Sequence, residues 1–159
     1  MKRGIIMSVV LGKDEKIVSE HKFKPNLILF WLKASYVLTD KRLTGSQPNV
    51  FLGLIPLGKA QVNQPLKTIA SVNSETKFYF KKFIIGLVLA IAGFAVMSET
   101  FAGGLIALIF GVVILLNSFV SRFVIMNNGG QQVGYSLTWL EKSKVQQFVN
   151  EINTIIAES

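Results

Sequence analysis

His21 is the sole histidine of this chain, and there is no cysteine. Thiolate metal sites, iron–sulfur clusters, disulfides and cysteine nucleophiles are therefore excluded. One imidazole cannot build a histidine-rich metal site, and a Ser-His-Asp triad would have to use His21. In Glu15–Phe23 (EKIVSEHKF) the alternation puts His21 at a half-buried strand position, with no partner visible nearby. Asp14, Glu15, Glu20, Asp40 and Glu75 are scattered through β-like segments without helical spacing. A carboxylate pair for acid–base work would need tertiary assembly. Gly53–Ala60 (GLIPLGKA) matches G-x-x-x-x-G-K without the closing Ser/Thr that holds Mg²⁺, and reads as a β-hairpin turn. The expectation is a non-enzyme with no metal and no cofactor.

Positive charge remains. Residues 1–80 hold twelve Lys/Arg against five Asp/Glu, in a chain of net charge +8. Such an excess favours an anionic partner. The candidates for lipid binding are Lys41, Arg42, Lys59, Lys67, Lys77, Lys81 and Lys82. They are separated by β-like alternation, and no nucleic-acid partner is expected. The alternative is a plain solvated basic face.

The basic residues lead into a charge-free stretch. Only 16% of the 159 residues are charged, against about 25% in a usual soluble domain. Phe83–Met97 and Phe101–Val120 contain no charge and are joined by Ser98, Glu99 and Thr100. A crossing helix needs roughly 20 residues, with about 17 as a lower limit. The second segment reaches that alone, and the first does so with Phe78–Lys82 at the interface. The expectation is a transmembrane helical hairpin over residues 81–120. Lys77, Lys81, Lys82 and Arg122 flank its open end, so the positive-inside rule places both termini in the cytoplasm of a multi-pass protein of the bacterial inner membrane. Met1–Leu11 is too weakly apolar to be a signal peptide. Small residues Gly86, Ala90 and Gly93 mirror Gly104, Ala107 and Gly111 about the turn, and are expected to pack the two helices. Asn117 and Ser118 are expected to bond backbone or a neighbouring helix.

Strands should surround this insertion. Leu27–Leu32 (LILFWL) reads either as a buried strand or as an interfacial segment anchored by Trp31. Ser35–Thr44 reads as two β segments about a turn at Asp40–Lys41, and Gly45–Asn49 as a loop. Val50–Leu57 and Pro65–Lys77 are β-like. Asn127–Gly130 is a hairpin-turn signal between Arg122–Met126 and Gln131–Leu137. Thr138 and Glu141 have capping-box spacing. The helix after them carries Val145, Phe148, Val149, Ile152, Ile155 and Ile156 on one stripe. The pieces make one discontinuous domain, residues 1–80 and 121–159, with residues 81–120 inserted.

Three stretches resemble the bacterial PH-like domain family: Tyr36–Leu43 (YVLTDKRL), Pro65–Val72 (PLKTIASV) and Phe123–Gln132 (FVIMNNGGQQ) followed by a helix. The resemblance implies a curved β-sheet domain capped by a C-terminal helix. It also implies frequent membrane association, ring assembly in some members and no typical catalysis. The fold class expected is thus an α+β membrane protein, PH-like, with the hairpin inserted between strands. Its expected function is that of a non-catalytic membrane-anchored module. It would act in self-assembly, as a homo-oligomer, or as a scaffold or subunit of a larger membrane-protein complex. Two alternatives stand beside it: an anionic-lipid headgroup binder, and a small channel or transporter subunit with Asn117 and Ser118 lining an oligomeric pore.

Overall fold

The computed structural model describes residues 10–51 and 55–158. The signal-peptide reading of Met1–Leu11 falls mostly outside them, as do Gly53 and its neighbours in the loop motif. Four antiparallel strands form the first sheet in the order β1 (Ile17–Phe23), β2 (Ala34–Thr39), β3 (Arg42–Phe51) and β4 (Ile55–Pro65). Leu66–Thr68 makes a 3-10 turn. The second sheet is β5 (Ile69–Phe78), β6 (Phe119–Asn127) and β7 (Gln132–Thr138), also antiparallel. Helices α1 (Phe80–Val96) and α2 (Phe101–Leu116) form the insertion between β5 and β6, and α3 (Lys142–Glu158) closes the chain.

The core lies between the sheets and α3. Phe23, Tyr36 and Leu38 from the first sheet meet Val72, Phe123 and Leu137 from the second. Val145, Phe148, Val149 and Ile152 of α3 are all buried there. Phe148 sits among rings, with Phe23, Tyr36 and Phe123 at 5.6, 5.9 and 5.6 Å between centroids. Asn153 of α3 fastens the exposed edge of the second sheet. Its amide donates to the Val72 carbonyl (2.9 Å), and its oxygen accepts from the Val72 N–H (3.3 Å). Without it, both backbone groups would lack a partner.

Two turns follow their chemistry. Asn127 Oδ1 accepts from the N–H groups of Gly129 and Gln131, and Gly130 takes φ +77°, which glycine adopts without a Cβ penalty. Gly45–Asn49, read as a loop, is instead the middle of β3, paired along its length with β4. Pro48 is tolerated because β2 pairs with β3 only as far as Ser46. Leu27–Leu32 is neither a strand nor wholly buried. Asn26 Oδ1 accepts from Ile28 and Leu29 N–H in a compact turn that buries Leu29 and leaves Phe30 and Trp31 exposed.

The transmembrane hairpin is corrected by the structure. Among the described residues no helix is long and apolar enough to cross a membrane. Helix α1 has 17 residues and α2 has 16, or about 25 Å each at 1.5 Å per residue. A bilayer's hydrocarbon core is about 30 Å. Strand pairing consumes the missing length: β5 and β6 stay in register up to Phe78 opposite Phe119, so Phe78, Phe119 and Val120 belong to the ladder. The fold is therefore two antiparallel sheets and three helices. The transmembrane and multi-pass inner-membrane assignments, with the cytoplasmic placement of both termini, rested on that crossing and fall with it.

Candidate functional site

Adjacent β strands run about 4.8 Å apart, whereas packed helices usually lie 8–10 Å apart. Helices α1 and α2 leave directly from paired strands, and the Tyr79 N–H still bonds the Ser118 carbonyl at 2.9 Å. They must therefore start close together, and glycines allow them to stay close. A Cβ on Gly86 would lie 2.8 Å from the Gly111 carbonyl oxygen, and one on Gly111 2.8 Å from that of Gly86. Gly93 and Gly104 meet in the same way, at 2.9 and 2.7 Å. Ala90 packs on Gly111, and Ala107 on Gly93.

With the small residues turned inward, the large ones face out. Ile85, Val88, Ile91 and Phe94 of α1 are exposed, Ile91 and Phe94 at 61% and 72%. Ile106, Ile109 and Phe110 of α2 are exposed as well. An aromatic collar surrounds the base, where Phe78 touches Phe119 and Phe83 at 4.9 and 5.4 Å between centroids.

A cleft of about 540 Å³ opens beside this base, between β3–β4 and β7. Asn26, Asn49, Asn117, Thr138, Ser136, Gln47, Tyr79 and Lys82 are among its polar lining; Val50, Phe51 and Leu57 give an apolar wall. Gln47 is engaged at both amide atoms. It accepts from the Tyr36 hydroxyl and donates to the Ser136 carbonyl, joining the sheets. Burial pushes the Tyr36 phenol well above its ordinary pKa, so it remains a donor. Asn117 is half engaged. Its Oδ1 accepts from Leu27 N–H at 3.0 Å, which fixes the amide orientation and leaves Nδ2 buried without a partner. Thr138 is 2% exposed, and its hydroxyl also lacks a partner. The capping box expected from Thr138 and Glu141 does not form. Thr138 makes no side-chain cap bond, and Glu141 pairs with Lys144 at 2.8 Å. No spacing in the sequence marks the cleft; only the fold brings Asn117 and Thr138 to it.

The basic candidates divide. Lys77 and Lys82 both place their ammonium groups over the Tyr79 ring, at 5.5 and 4.9 Å from its centroid, and Lys81 adjoins them in the first turn of α1. Lys41 and Arg42 lie at the β2–β3 turn, with Lys67 in the 3-10 turn beyond β4. Lys59 stands on β4 opposite Pro48. Arg42 is already committed: its guanidinium grips buried Glu15 at 2.8 and 3.1 Å. The seven residues therefore do not converge on one basic pocket.

His21 acquires a partner from 130 residues away, Glu151 of α3, at 2.7 Å. Burial raises the Glu151 pKa, but the hydrogen bonds of His21, Ser19 and Gln147 together with the His21 charge outweigh it and hold the carboxyl below its ordinary value. The imidazole also lies on Phe148 at 4.8 Å. The pair ties helix to sheet. Among the described residues no cluster of three metal-ligating side chains occurs. Comparison of the chain with models of protein families, with curated proteins and with solved structures finds no match.

Proposed function

We propose that the chain is a non-catalytic, PH-like assembly module that self-associates through its helical hairpin. The carrying observation is the apolar outer surface of that hairpin, exposed on both helices. Monomeric proteins rarely leave contiguous apolar patches beyond a few hundred Å² uncovered. A second copy offers the same surface, and most soluble oligomers are symmetric assemblies of one chain. The exposed residues face away from the α1–α2 seam on both helices, so one neighbour leaves part of the surface bare. Assembly beyond a dimer covers more of it. Four strands facing three, closed by a terminal helix, support the PH-like reading. The channel alternative lacks support, since Asn117 bonds Leu27 and Ser118 donates to the Leu115 carbonyl at 2.6 Å.

Native mass spectrometry and light scattering of the full chain test this reading. A multi-copy species is expected, and Ile91→Glu with Phe94→Glu should dissociate it while the sheets stay folded. A wild-type chain that is monomeric without detergent would refute self-association. So would copies that separate into monomers on phosphatidylcholine vesicles, which would make lipid the covering partner.

A further inference from the structure

The cleft beside the hairpin base contains an imbalance that neither the fold nor self-association uses. Its buried side-chain groups without a partner, Asn117 Nδ2 and the Thr138 hydroxyl, can both donate, and the Lys82 ammonium, over the Tyr79 ring, belongs to the same lining. Asn117 and Thr138 are more than nine-tenths buried. A buried polar group with no partner is costly, so two in one cleft call for an occupant. No described carboxylate lines the cleft to compete for these donors. Two amide acceptors of the lining are engaged, since Gln47 Oε1 takes the Tyr36 hydroxyl and Asn26 Oδ1 takes two backbone N–H groups, and Asn49 is exposed to solvent. The occupant must therefore bring acceptors, and Lys82 favours a negative charge on them.

The opposite wall sets the rest of the ligand. Val50, Phe51 and Leu57 line the cleft, and Phe51 and Leu57 are exposed. Lys82 and Tyr79 carry the lining onto the start of α1, where the apolar hairpin surface begins. A donor-rich floor beside an apolar exit suits a molecule with an oxyanion head and an aliphatic tail. We infer that the cleft between β3–β4 and β7 is a binding site for an anionic amphiphile. Its head is received by Asn117, Thr138 and Lys82, and its tail runs over Phe51 and Leu57. The chemistry is shared by a free alkyl phosphate and an anionic lipid headgroup.

Titration of the full chain with decyl phosphate below its micelle concentration is the test, followed by calorimetry. Saturable binding of one molecule per protomer is expected, with inorganic phosphate and decanol each at least about tenfold weaker, since each lacks half of the recognition. Thr138→Val should weaken binding about fivefold, the scale of one hydrogen bond. It should leave the ligand-free urea midpoint unchanged or higher, because it removes an unpartnered hydroxyl; a merely structural threonine would lower it. Lys82→Gln should weaken binding and flatten its salt dependence. Co-sedimentation with phosphatidic acid vesicles separates the sources. Capture by vesicles identifies a bilayer headgroup, whereas decyl phosphate binding without capture identifies a free amphiphile; either supports the site. Absence of saturable decyl phosphate binding overturns it, as does equal binding of inorganic phosphate or decanol, or unchanged binding in both variants. Repeating the titration on the Ile91→Glu, Phe94→Glu chain separates this result from the oligomeric state.

Discussion

Glu15 is held by the Arg42 guanidinium, the Gly12 N–H (2.6 Å) and the Thr39 hydroxyl (2.8 Å), and these lower its pKa to about 2. A carboxyl depressed on folding adds stability above its unfolded pKa, near 4.3 for glutamate, and that stability is lost as pH falls through the folded value. Thermal melts of the wild type should therefore lose stability between about pH 4.5 and 2, and Glu15→Gln should flatten that part of the profile. Arg42 is the sequence candidate most altered by this contact, since a cation engaged by a buried carboxylate is not free for lipid. Phe148 is fully buried among four rings. Phe148→Ala should cost about 3–5 kcal/mol and lower the urea midpoint by about 1 M or more. An unchanged midpoint would mean that α3 docks elsewhere.

For the hairpin, the glycines differ in what surrounds them. A Cβ at Gly93 would lie 2.9 Å from both the Ala107 carbonyl carbon and the Gly104 oxygen, backbone atoms that cannot yield separately. Gly103 meets only the Thr100 side chain, at 3.3 and 3.8 Å. Gly93→Leu should splay the helices, read as a longer distance between spin labels placed at Val88 and Ile109. Gly103→Ala should leave that distance unchanged and add up to about 1 kcal/mol from helix propensity. Equal behaviour of the two variants would remove the close-packing account. The mirrored order of small residues was legible because an antiparallel pair joined by a short turn must match them by depth. Helix length was not legible, because an apolar run does not reveal where helix gives way to strand: Phe119 and Val120 suit either state, and pairing with Phe78 and Lys77 decides.

At the scale of the whole molecule, the insertion grows from one strand pair, so the β domain should survive its removal. Replacing Tyr79–Ser118 with Asn-Gly would join Phe78 to Phe119, residues already opposite each other, through a turn suited to a β-hairpin. The shortened chain is expected to unfold cooperatively as a monomer with its sheet signal retained, by light scattering and circular dichroism. Persistent multimers would move the association surface to the β domain, where Phe30, Trp31, Leu57 and Leu140 are among the exposed apolar residues.

Local physics fixed several features of this protein before any fold was known. The absence of cysteine and the single histidine restricted its chemistry. The α3 stripe, the Asn127–Gly130 turn and the glycine pattern followed from periodicity, backbone freedom and steric size. Tertiary structure decided whatever depends on two distant segments meeting. Glu151 meets His21 because α3, docked on β5 and β6, brings this side chain to β1. Thr138 makes no side-chain cap bond and lies buried in the lining of the cleft, where Asn117 arrives from the end of α2. Hydrogen-bond partners and burial are properties of such meetings, and residue spacing along one segment cannot encode them.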